Sequence, residues 1–407
     1  MLFRESLIAI KKAISEGGIK MKKRWISILM VALACAFLFA ACAPAAEAPS
    51  ASASTEASAE TSAEASAEAS EPAAAGDLTV EIVAKGFQHQ FWQVVKQGAD
   101  AAAADLGVSI NFQGPPSESD IQAQVDMLNS ALSKNPSAIC LAALDTGSVT
   151  SQLADAQAAG IPIIGFDSGV PDAPEGQVLA TAATDNKAAA GIAADEMMKD
   201  PAFLEKLKAA TPENPVRVAV LSQDATSTSV TQRTEGFIEA FKAAAEEIFP
   251  DQVAVEGHDL YAQAAAQTPA VIVSVHIAPT TDAGDLKNIG SAALQEENLI
   301  GVFCSNEGSV TGFLNATNDG ADLDRENGAY KDLTVAGFDA GSTQKTAVRN
   351  NWFLGSVTQD PYQIGYQAVE LAVKAAQGEK VSDVDTGAKW YNSENIDSAD
   401  IKDLVYD

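Results

Sequence analysis

Residues 78–107, LTVEIVAKGFQHQFWQVVKQGADAAAADLG, contain one complete structural unit. Residues 78–84 are a short apolar run with β-branched side chains, which predicts a strand. From 91 to 106, Trp92, Val95, Ala99 and Ala102 recur three or four residues apart, the spacing of one buried helix face. Gly107 follows as the stop. A strand feeding directly into a helix is half of a parallel-sheet crossover, so the neighbouring sequence is expected to repeat the pattern.

It does so. Ser119 with Gln122 predicts a capping box, and Ile121, Val125, Leu128 and Leu132 mark the helix face behind it. Residues 137–143 predict a buried strand, 149–159 a helix closed by Gly160, 161–167 (IPIIGFD) a strand ending in a carboxylate, and 178–183 the strand that completes one lobe. The alternation then restarts. Helices are expected at 187–199, 230–248, 286–296 and 309–318, with strands at 216–221, 253–256, 271–275, 299–304 and 333–338. Two tandem α/β lobes, each a doubly wound Rossmann-like parallel sheet, are the expected architecture.

The chain has 407 residues, 26 Lys and Arg against 55 Asp and Glu, and a formal charge of −29. Residues 1–24 hold seven of the basic groups and two of the acidic ones, so the remainder is more acidic still. Such a surface repels nucleic acid and anionic headgroups, and no nucleic-acid partner is expected. Residues 25–41 (WISILMVALACAFLFAA) follow Met21-Lys22-Lys23-Arg24, the positive and apolar regions of a secretion signal. Ala40-Ala41-Cys42 resembles a lipobox, in which the cysteine is acylated; Phe39 stands where Leu is usual, and Cys35 is a weaker candidate. A signal over 21–42, lipidated at Cys42 and lipid-anchored to the membrane, is the expectation. Residues 1–20 fit neither signal nor domain, and Glu16-Gly17-Gly18 is what an in-frame ribosome-binding sequence would encode, so Met21 is expected to be the start. Residues 43–76 are almost wholly Ala, Ser, Glu, Pro and Thr and offer nothing large to bury, which predicts a disordered tether.

Cys140 and Cys304 lie in apolar runs that fall in different lobes, so buried free thiols are expected rather than a disulfide. His89, His258 and His276 are scattered without ligand spacing, and no metal or cofactor is expected. There is no Gly-x-x-x-x-Gly-Lys loop and no Gly-x-Ser-x-Gly elbow.

In open α/β sheets ligands bind beyond the carboxyl ends of strands. The residues there are 85–92, Asp145, Asp167-Ser168, 223–231, Asn306-Glu307, Asp339 and Gln359, mostly hydrogen-bonding side chains with Phe91 and Trp92 among them. Carboxylates and amides that bind hydroxyls, beside an aromatic face for C–H surface, suit a carbohydrate. Nothing pairs a nucleophile with a base, so the protein is not expected to be an enzyme.

Six motifs carry a resemblance over about 78–395: Gln90-Phe91-Trp92; 161–167; Arg233-Thr234-Glu235-Gly236-Phe237; Val302-Phe303-Cys304-Ser305-Asn306-Glu307; 335–339; and Gln359-Asp360-Pro361-Tyr362-Gln363-Ile364-Gly365. In these the chain resembles the periplasmic binding proteins of the ribose and galactose type. The resemblance implies a type I periplasmic-binding-protein fold whose lobes, 77–183 with 360–384 and 184–359 with 385–407, are joined by a three-strand hinge near Thr184, Gln359-Asp360 and Asp385. It implies that His89 contacts ligand, that Phe91 and Trp92 sandwich a sugar, and that Asp167, Asn306, Asp339 and Gln359 bind hydroxyls. Lys85, Ser168 and Thr231 occupy further contact positions but depart from the pattern, since sugar binders carry a small polar residue at the first and arginines at the others. Plain alternatives stand beside these roles: a strand-end Asp also caps helices, one of Phe91 and Trp92 also suits a core, and Arg233 reads better as a structural ion pair. His276 and Pro279, in a long region over 260–285, suit either the pocket or an insert.

The resemblance further implies a monomeric solute-binding lipoprotein of an ABC importer, in the periplasm or on the outer face of the cell membrane, that hands a sugar-like ligand to a permease. A sensor presenting ligand to a chemoreceptor or histidine kinase is the alternative. A repressor would need a helix-turn-helix where the signal and tether stand.

Overall fold

The structure, a computed structural model, describes residues 78–406. The start at Met21, the signal with Cys42 and the tether therefore lie outside the described residues. Among the described residues no helix is long and apolar enough to cross a membrane.

Two sheets organise the body. The first has six parallel strands, in the order Val384–Asp385, Ala180–Ala183, Ile163–Phe166, Ala138–Leu141, Thr79–Val83 and Ser109–Gln113. Its centre is apolar on both faces, as parallel strands covered by helices must be: Ala138–Leu141 and Ile163–Phe166 are buried throughout. The second has seven strands, in the order Ala388–Tyr391, Gly355–Gln359, Thr334–Phe338, Leu299–Cys304, Val216–Ser222, Val271–Ile277 and Val253–Glu256. All its pairings are parallel except that of Ala388–Tyr391, which runs antiparallel to Gly355–Gln359.

The lobes are not contiguous in sequence. Helix Pro361–Ala376 follows a strand of the second sheet yet packs along the first helix, Gln90–Leu106, against the first sheet. Two glycines permit the contact: a Cβ on Gly98 would land on the Tyr362 carbonyl, and one on Gly365 on that of Val95. The chain returns at Val384–Asp385 to the first sheet and at Ala388 to the second.

Helices Ser342–Arg349 and Pro361–Ala376 and strand Gly355–Gln359 are not among the elements the sequence reading delimits, and three further differences bear on the site and the core. Ser109–Gln113 is an edge strand with no fully buried residue, so it has no apolar run to betray it. Pro201–Lys208 is an extra helix, started by the Asp200 side chain accepting from the Phe203 amide. The Ser119–Gln122 capping box does not form. Helix Ile121–Ser133 begins after Asp120 without a side-chain cap, and the Ser119 hydroxyl is engaged by Thr281 of the other lobe. Cys140 and Cys304 are buried free thiols in separate sheets.

Candidate ligand-binding cleft

The carboxyl ends of both sheets face one cavity of about 300 Å³, counted to its open mouth. From the first lobe come Lys85, His89, Phe91, Trp92, Glu118 and Asp167. From the second come Gln223, Val230, Arg233, Asn306, Glu307, Asp339 and Gln359.

Lys85 leaves the end of strand Thr79–Val83 with its ammonium 3.4 Å from Asp167 Oδ2 and 4.0 Å from Glu118 Oε2, and it donates to the Ser229 hydroxyl across the cleft at 3.1 Å. Burial works against the charge, but the attraction of Asp167 and Glu118 outweighs it and holds the amine above its ordinary value. Glu118 accepts from Trp92 Nε1 and from Gln223 Nε2, each at 2.7 Å. Burial raises its pKa, but His89, Lys85 and these two hydrogen bonds prevail and hold the carboxyl below its ordinary value.

Asp167 and Asp339 each follow a Gly-Phe pair at a strand end, and both take positive φ, 52° and 76°. Asp tolerates the left-handed region better than most side chains, and both residues line the cleft. Arg233 lies between them, NH1 3.4 Å from Asp339 Oδ2 and NH2 3.9 Å from Asp167 Oδ1, with its guanidinium 4.0 Å from the Phe338 ring centroid. Its Nε donates to Asn186 Oδ1 at 2.8 Å. Asp339 is also held by Gln359 Nε2 at 2.7 Å and the Glu307 amide at 3.0 Å. Asn306 caps helix Glu307–Ala316, its side chain accepting from the Ser309 amide.

Burial, the largest influence on Asp167, raises its pKa beyond what Lys85 and Arg233 offset. Burial likewise raises that of Glu307. Phe91 and Trp92 meet edge to face with centroids 5.1 Å apart, and Trp92 packs on Phe166 in the same way at 6.1 Å. Both rings line the cavity and belong to the core at once.

Of the ten expected contact residues, eight line this cavity: Lys85, His89, Phe91, Trp92, Asp167, Asn306, Asp339 and Gln359. Ser168 and Thr231 do not line it. Ser168 is fully buried beside the strand end and accepts from the Ser229 amide. The Thr231 hydroxyl bonds back to the Ser227 and Thr228 carbonyls of its own helix. His276 pairs with Glu296 at 3.0 Å, away from the lining.

Arg233 is both an ion-pair member and a wall of the site. Glu118 was not anticipated. It sits in the loop after Ser109–Gln113, and delimiting that strand would have counted it among strand-end residues. Among the described residues no cluster of His, Cys, Asp and Glu suits a metal ion.

Two sheets presenting opposed polar walls across a crevice, crossed by short connections, define a two-lobed binding protein. The chain belongs to the periplasmic binding protein family, whose domain matches residues 80–380. It is 25% identical over 314 residues to the D-allose-binding periplasmic protein of Escherichia coli K12, spanning 76% of this chain and 88% of that one. A solved ABC transporter protein of Brachyspira murdochii, described as a LacI family transcriptional regulator, is 41% identical with a TM-score of 0.68, covering 81% of this chain and 99% of the other. An ABC transporter solute binding protein from Agrobacterium vitis with bound D-fucose is 27% identical, with a TM-score of 0.65 and coverage of 81% and 100%. A carbohydrate transporter solute binding protein from Agrobacterium radiobacter in complex with D-arabinose is 26% identical, with a TM-score of 0.65 and coverage of 81% and 99%.

Proposed function

We propose that this protein captures a monosaccharide-like polyol outside the cytoplasm and presents it, chemically unchanged, to the permease of an ABC importer. The observation that carries this reading is the convergence of polar side chains from both sheets, with Phe91 and Trp92, on one cavity. Hydroxyl groups suit the carboxylates and amides, and C–H surface suits the rings. The sugars carried by the similar Agrobacterium proteins, and the D-allose binder's name, point to the same ligand class.

Closure follows from the cross-lobe bonds. Gln223 to Glu118, Lys85 to Ser229 and the Ser342 amide to Gln90 join residues of different sheets. A ligand that touches both walls favours the arrangement in which these bonds exist. Cys42 is the proposed acylation site and residues 43–76 the tether, leaving a monomeric body free to reach the permease. The cycle contains no catalytic step.

A thermal-shift screen of pentoses, hexoses and polyols tests capture: a true ligand at 100 times its Kd adds about 2.7 kcal/mol of stability. Failure of every compound to move the transition refutes it. For the anchor, Cys42→Ser is expected to release the protein from membranes of the producing cell, and retention there refutes lipidation.

A further inference from the structure

The buried polar atoms of the cleft that lack a hydrogen-bond partner are all acceptors: Asp167 Oδ2, Gln223 Oε1, Glu307 Oε2 and Gln359 Oε1. Neither amide can be turned round to change this. Gln223 Nε2 is held by Glu118 and Gln359 Nε2 by Asp339, so both carbonyl oxygens are fixed where they stand. Asp167 Oδ2 at least has the Lys85 ammonium at 3.4 Å. Glu307 Oε2 has no Lys or Arg in ion-pair contact among the described residues, the basic group that acts on it being the His89 imidazole.

Charge leans the same way. The lining holds four carboxylates, Glu118, Asp167, Glu307 and Asp339, against the fixed cations Lys85 and Arg233. Those two cations form ion pairs with Glu118, Asp167 and Asp339. Glu307 has no ion pair with Lys or Arg among the described residues, although it is only 9% exposed. Its Oε1 accepts from the Gln90 amide at 3.3 Å, the backbone amide of Glu307 is taken by Asp339, and Oε2 is left open. Its place at the start of helix Glu307–Ala316 favours a negative charge but supplies no donor to Oε2. Gln223 Oε1 belongs to the same corner, since a Cβ on Gly308 would collide with it.

We propose that the captured molecule is a polyol bearing a protonated amine, an amino sugar or aminopolyol, and that Glu307 anchors its ammonium. This rests on the sugar-capture reading and narrows it. An ammonium brings several N–H donors and a positive charge to a corner that has surplus acceptors and neither Lys nor Arg, the His89 imidazole being the ionisable base beside Glu307. A carboxylate or phosphate on the ligand would meet Glu307 and Asp339 unfavourably.

Calorimetric titration of the folded protein with matched pairs tests this: glucose with 2-amino-2-deoxyglucose, galactose and mannose with their 2-amino counterparts, and glucitol with 1-amino-1-deoxyglucitol, each amine also as its N-acetyl derivative. In the pair that fits, the amine is expected to bind about 10-fold to 100-fold tighter than the neutral partner, the worth of a charge-assisted bond. N-acetylation should erase the advantage, and so should Glu307→Gln, while Glu307→Asp retains part of it. Equal or tighter binding of the neutral member in every pair that binds overturns the amine and leaves sugar capture standing. An advantage that survives Glu307→Gln overturns the anchor. Absence of binding by all members overturns both readings.

Discussion

Asp167 and Asp339 occupy matching corners of different sheets and face one guanidinium, that of Arg233, at 3.9 and 3.4 Å. Each follows Gly-Phe and each turns left-handed. Arg233 therefore neutralises an opposition between two buried carboxylates and is part of what allows the lobes to meet. Replacing it by Met is expected to cost about 3–5 kcal/mol of stability, the price of stranding buried charge. Urea denaturation checks this, and a loss under about 1 kcal/mol would show that solvent already screens the pair.

The Thr231 hydroxyl is spent on its own helix, bonded to the Ser227 and Thr228 carbonyls. Thr231→Ala is expected to leave the affinity of any identified ligand within about threefold, as a change away from buried contacts should. A larger loss in calorimetry would put Thr231 back in the site.

Closure has a polar latch beyond the cavity. Thr281 of the second lobe meets Ser119 at 2.7 Å through the hydroxyls and at 2.9 Å through its amide, and Ser117 at 3.1 Å. Thr281→Val removes the hydroxyl bonds. With about 1 kcal/mol per bond, the closed population is expected to fall severalfold against the open one. Small-angle scattering should then report a larger radius of gyration for the ligand-free variant than for the parent; identical radii would refute the latch.

Glu118 gives a pH signature. Its carboxyl lies below the ordinary 4.5 in the folded protein. A depressed carboxylate stabilises fully above its unfolded value, and that contribution is lost as pH falls through the folded value. The stability difference between parent and Glu118→Gln is thus expected to be flat above about pH 5 and to shrink as the pH falls below the ordinary carboxylate value. Taking the difference leaves out Glu307, which Glu118 does not influence, while Asp167, whose value the Glu118 charge helps to raise, falls back towards its ordinary value in the variant. A difference independent of pH would show that Glu118 is not the depressed group.

Most of the architecture was legible because parallel strands between covering helices are apolar on both faces, as in 138–141 and 163–166. The edge strand Ser109–Gln113 escaped for the converse reason, and Glu118 escaped with it. Strand-end counting found Asp167, Asn306, Asp339 and Gln359 because topology alone sends such residues to the crevice. At Ser168 and Thr231 transfer by resemblance names residues that do not line the cavity. It carries a position along the chain but not the direction of a short side chain, and neither hydroxyl reaches as far as an arginine. The Ser119 capping box failed because a contact with Thr281, 162 residues away, outcompeted a local one.

The interleaving of the lobes also sets an order of events during synthesis. The sheet opened by Thr79–Val83 has its second edge strand only when Val384–Asp385 emerges, and its first helix lacks its main helical partner until Pro361–Ala376 has been made. A ribosome must therefore deliver nearly the whole polypeptide before the leading half can lock.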